Sequence, residues 1–221
     1  MGQTHASKGW QWLCGLNSTD LDSSGGFNFV NGHDNTCFVD ALNFIPHLGF
    51  ILLSVIVLLV GCCLCFGKGR SSEYHLRFPC HSIKWPVSIL LLILIVASLA
   101  EGILTDETYI QTLGASQPHL YAPSICALAA VIMSLVYCLQ MEVWHVGGMA
   151  FLLLFYYAAA ALTEIGRVIN LLELDKGSVK ITRFDLVVLK LVCYIVLLVL
   201  ELNIIRLKVR HFKSGNAELY K

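Results

Sequence analysis

From Phe44 to Phe66 the chain runs 23 residues without one formally charged side chain. About 20 apolar residues suffice for a helix to cross the hydrocarbon core of a bilayer. Lipid offers the backbone no hydrogen-bond partner outside its own segment, so such a run must be helical. Four further apolar blocks follow, at about 85–104, 120–141, 149–172 and 186–205. The expected fold class is therefore an all-α membrane protein, a five-helix transmembrane bundle. Composition agrees: 57% of residues are apolar and 14% charged, against about 45–50% and about 25% in soluble domains. The formal net charge is zero, so no global field favours nucleic acid or an acidic partner. Neither an internal repeat nor a low-complexity tract is visible.

The first forty residues are polar and have no apolar core followed by a small-residue cleavage site, so they do not read as a signal peptide. We read residues 1–40 as an extracellular segment, 41–212 as the five-span domain and 213–221 as a cytosolic tail. With the N-terminus outside and the C-terminus cytosolic, the cytosolic side holds Lys68, Arg70, Arg77, Lys84, Arg206, Lys208, Arg210, Lys213 and Lys221. The outside holds Lys8, Lys176, Lys180 and Arg183. Nine positive charges against four follow the positive-inside rule. Asn17-Ser18-Thr19 is a glycosylation acceptor, usable only if the segment enters the secretory lumen.

The polar residues admit more than one reading. Cys14 and Cys37 are the only cysteines of the N-terminal segment. They are either two thiols or a disulfide closing a loop of about 24 residues, worth roughly 3 kcal/mol by chain entropy. Cys62, Cys63 and Cys65 lie beside the end of the first span without zinc-ligand spacing, which suits apolar packing or acylation. Gly61–Ser71 imitates a phosphate loop but breaks its spacing. Glu101 ends the second apolar block, Glu164 and Arg167 interrupt the fourth, and Lys190 and Glu201 the fifth. A charge at mid-bilayer costs about 2.5–3.5 kcal/mol, so these intramembrane polar groups should face protein or reach an interface. Interhelical pairing and a polar transport pathway both fit. Lys190, close to the start of its span, is expected to snorkel outward, and His47 to sit at the interface. Trp85 reads as an interfacial anchor, and Ala158–Ala161 as a close helix contact. No nucleophile, base and acid set is recognisable, and no metal pattern. We therefore expect no catalytic residue, no metal, no cofactor and no enzyme.

Several longer stretches are more specific. CFVDALNFIPH (Cys37–His47), HLRFPCHSIKW (His75–Trp85), AEGIL (Ala100–Leu104), HLYAP (His119–Pro123) and LELNIIRLKVRHF (Leu200–Phe212) occur in this order. Together with Glu142 after the third block, they resemble the N-terminal extra membrane domain of sulfonylurea receptors, members of the C subfamily of ABC proteins. The resemblance spans about residues 14–212. It implies a five-span module with its N-terminus outside, which binds the pore subunit of an ATP-sensitive inward-rectifier potassium channel and affects gating and surface delivery. It also implies a Cys14–Cys37 disulfide, glycosylation at Asn17 and passage through the endoplasmic reticulum to the plasma membrane. The implied channel contact is Phe38, Val39, Asp40, Ala41, Leu42, Asn43, Pro46, His47, Phe50 and Leu52. Membrane lipids, and the ABC core of a longer chain, are further expected partners. No Walker motif or ABC signature occurs in these 221 residues, so the chain reads as a fragment of a longer receptor or a stand-alone relative.

Two alternatives stand beside this reading. One is the accessory domain of a C-subfamily exporter, serving targeting and assembly. The other is an independent small-solute carrier, which the absence of paired broken helices disfavours.

Overall fold

A computed structural model describes residues 39–63, 81–113, 116, 118–144, 150–174 and 181–219. Among these residues there are five long helices and no strand. They are α1 (Phe44–Cys63), α2 (His81–Leu113), α3 (Ala122–Trp144), α4 (Ala150–Leu174) and α5 (Ile181–Leu219). Each is long and apolar enough to cross a membrane. The protein is thus a multi-pass membrane protein.

Prolines mark the helix starts. Pro46 lies in the first turn of α1, where its missing N–H costs little. Just before it, the Asn43 amide is shared between the carbonyls of Val39 and Asp40, at 3.3 and 3.2 Å. A helical turn over 39–42 therefore precedes α1 across a one-residue break. Pro118 opens a 3-10 turn, Pro118–Leu120, closed by the Tyr121 amide on the Pro118 carbonyl. Pro123 then occupies the second position of α3. Pro86, inside α2, sits near that helix's start and faces outward.

The helices form a ring. α1 packs on α3 and α4, α2 on α3 and α5, and α4 on α5. Packing in lipid rests on close fit and interior hydrogen bonds, because lipid tails are as apolar as the side chains. The interior is accordingly aromatic and finely fitted. Tyr137, Tyr157 and Tyr194 are fully buried with Leu91, Ile95 and Leu197. Phe50 stacks on Tyr156 with centroids 4.3 Å apart and meets Tyr137 edge-on at 6.2 Å. Ala160 and Ala161 are buried in α4, as the alanine run suggests. One backbone contact is unusually close: a Cβ added to Gly102 of α2 would lie 2.6 Å from the Leu120 carbonyl oxygen.

Candidate functional site

The membrane interior of this bundle is charged as well as apolar. Asp40 precedes α1, and its Oδ1 accepts from Arg167 Nε of α4 at 2.9 Å. Arg167 Nη1 lies 3.6 Å from Glu164 Oε1, one turn earlier. The same Glu164 oxygen is 3.2 Å from Lys190 Nζ of α5. Lys190 also donates to Ser98 Oγ of α2 at 3.2 Å, and Ser98 lies 3.4 Å from Ser124 Oγ of α3. A single chain of polar contacts thus links α2, α3, α4 and α5 to the helical turn that leads into α1. Asp40, Glu164, Arg167 and Lys190 are all buried, and their formal charges cancel. Arg183, partly exposed, reaches Asp40 Oδ2 from the rim at 3.4 Å. Neutral side chains extend the network. Thr163 Oγ1 donates to Asn43 Oδ1 at 2.8 Å, and His47 Nδ1 lies 3.2 Å from the Tyr156 hydroxyl.

A second buried pair closes the opposite end. Lys84 at the start of α2 is ion-paired with Glu201 of α5 and donates to Cys138 Sγ of α3 at 2.6 Å. The adjoining cavity, between Ser88, Ser134 and Tyr157, holds about 10 Å³, room for one water and nothing larger. It is not a substrate site.

Two expectations are corrected here. Lys190 does not snorkel outward; Glu164 and Ser98 draw its ammonium into the bundle. His47 is buried, 0% exposed, and set between Tyr156 and Tyr194. Lys84 is not a loop charge but lies buried against Glu201. Glu101 accepts from Thr105 Oγ1 of its own helix at 3.0 Å.

The residues implied as a channel contact divide sharply. Asp40, Asn43, Pro46, His47 and Phe50 point inward and are buried, Val39 and Ala41 are half-buried, and Leu42 and Leu52 face out. In this conformation the five buried ones hold α1 on its own bundle and present nothing to a second protein. The outward stripe of α1 is instead Ile45, Leu48, Leu52, Ile56 and Leu59, spaced three or four apart along one face. Gly49 lies beside it, and a Cβ there would meet nothing within 4 Å. Of the five spans α1 is the least buried. The helical phase of α1, fixed by Asp40 and Phe50, identifies its free face. Cys62 and Cys63 are exposed at the end of α1. Phe38, Cys14, Cys37, Asn17 and Cys65 lie outside the described residues.

No family model matches the chain. It is similar to proteins called ATP-binding cassette sub-family C member 8 from Homo sapiens, Cricetus cricetus and Rattus norvegicus. Each is 32% identical over 181 residues, covering 79% of this chain and 11% of the relative. The chain therefore spans about a ninth of the length of these relatives, and the likeness supports a membrane domain of the C-subfamily type.

Proposed function

We propose, from the premise that this chain is a relative of the sulfonylurea receptors over most of its length, that it is a non-catalytic regulatory membrane module. It packs the outward stripe of α1 against an outer helix of an inward-rectifier potassium-channel pore subunit and alters that channel's gating and surface delivery. The observation that carries the reading is the division of α1: a polar inner face held by its own bundle, and an apolar outer face with no partner helix among the described residues. Helix association in lipid needs close packing, and the gap beside Gly49 allows a backbone to approach. The buried ions support the same role. A module that biases another protein must be stiff, and removing one partner of a buried ion pair is costly, so these pairs resist rearrangement. Gating control then means different contact free energy with open and closed channel states.

The same proposal places residues 1–40 outside the cell, with Asn17 glycosylated and Cys14 joined to Cys37, and the mature chain in the plasma membrane. Nothing in it calls for ATP hydrolysis by these residues.

Co-expression with a panel of inward-rectifier pore subunits tests the proposal. Co-purification with at least one, together with a changed surface density and open probability, is the expected result. Absence of association with every pore subunit would overturn it. Association with an isolated C-subfamily ABC core instead would favour the exporter-accessory reading.

A further inference from the structure

The inner face of α1 runs through Phe50, Ser54 and Gly61, all buried. At the helical pitch, Cys63 stands about 200° round the helix from Gly61, and Cys62 about 100°. Cys63 is therefore the next position of the outward stripe, four residues after Leu59 and seven after Ile56, and Cys62 flanks it. Both thiols are exposed. The two readings open for them in the sequence, apolar packing and acylation, are thereby separated. The packed cysteines of this bundle are Cys138 and Cys193, 8% and 4% exposed within the core. Cys62 and Cys63 belong to no such interior.

Their depth follows from the length of the span. Val39–Cys63 has 25 residues and rises roughly 36 Å, against about 30 Å for the hydrocarbon core. The two ends of the span therefore reach the two interfaces. One end carries Asp40 with its arginine partners, and the other carries the paired thiols.

We infer that Cys62 and Cys63 are a site of S-acylation, taking a long-chain acyl group from an acyl-coenzyme A. The cysteine Sγ attacks the thioester carbonyl carbon. The new Sγ–C bond forms as the bond from that carbon to the sulfur of coenzyme A breaks. Coenzyme A leaves as its thiol, taking up the proton that the cysteine gives up, and nothing is oxidised or reduced. Reversible acylation of this kind falls on cysteines beside a membrane. An acyl chain joined here enters the leaflet that the outward stripe of α1 already faces, whereas on Cys138 or Cys193 it would have to displace the core. The inference rests on the proposed orientation, which puts the end of α1 on the cytosolic side, where acyl-coenzyme A is available. It needs no channel partner.

The test uses the full chain carrying Cys65→Ser and Cys80→Ser, which removes the cysteines between α1 and α2, expressed in mammalian cells without a pore subunit. Free thiols are blocked, thioesters are cleaved with neutral hydroxylamine, and the thiols so released are tagged with a maleimide polymer that shifts the band once per thiol. A hydroxylamine-dependent shift is expected, and it should disappear when Cys62→Ser and Cys63→Ser are added. No shift in the starting protein overturns the inference without recourse to those two variants. So does a shift that survives the loss of Cys62 and Cys63. The glycosidase sensitivity of Asn17 on the same gel separates this inference from the orientation beneath it. A glycosylated chain with no shift overturns acylation alone, and an unglycosylated chain with no shift overturns acylation together with the orientation.

Discussion

An added Cβ at Gly102 would press on the Leu120 carbonyl oxygen, whereas one at Gly49 would project into open space. The two glycines therefore have different tasks. Gly102 lets the turn before α3 close down on α2, and backbone cannot yield as a side-chain tip can. Gly102→Val is expected to destabilise the bundle by about 1–3 kcal/mol, the usual cost of overpacking, read as a lower melting temperature in detergent. Gly49→Leu should leave that temperature unchanged, because the side chain meets nothing within the chain and leucine favours helix. It should instead reduce retention of a co-expressed pore subunit. Equal melting temperatures for Gly102→Val and wild type would refute the close approach. Undiminished retention in Gly49→Leu would refute the docking role of that gap.

Between helices, the charged side chains set register. Glu164 serves two cations on two helices, Arg167 at 3.6 Å and Lys190 at 3.2 Å. Lys190→Met removes the tie between α4 and α5 and leaves a buried carboxylate short of one partner, at a cost of about 3 kcal/mol. Adding Glu164→Leu removes the carboxylate too, and should recover part of that loss. A thermodynamic cycle over the two single variants and the double checks this; purely additive losses would mean that the pair does not couple. Much of this was legible in the sequence. Charges that interrupt apolar blocks announce interior pairs, and alternation of the spans puts the end of α4 level with the start of α5. The start of α2 likewise lies level with the exit of α5, but reading Lys84 as a cytosolic charge beyond the span hides its meeting with Glu201. The phase of α1 was not legible. Its apolar residues surround the helix, so periodicity alone cannot separate inner from outer faces. The inward phase is set by Asp40, Asn43 and His47 finding Arg167, Thr163 and Tyr156, contacts more than a hundred residues apart in the chain.

For the molecule as a whole, the stretches that carry the likeness to sulfonylurea receptors meet each other in space. Gly102 of AEGIL lies under Leu120 of HLYAP, and Lys84 of HLRFPCHSIKW pairs with Glu201 of LELNIIRLKVRHF. Residues of these stretches thus hold the bundle together, and a partner surface has to be sought on what the bundle leaves outside. The proposal puts the two ends of the chain on opposite sides of the membrane. A glycosidase-sensitive mass shift abolished by Asn17→Gln, together with cytosolic labelling of a cysteine placed after Lys213, is the expected topology; both ends labelled from one side would contradict it. The most direct test of the account places a photo-crosslinking side chain along α1 in cells that co-express a pore subunit. Crosslinks should form from Leu48, Leu52 and Ile56 and should be absent from Phe50 and Ser54. Crosslinks from the inward positions alone, or from no position of α1, would contradict the assignment of this face.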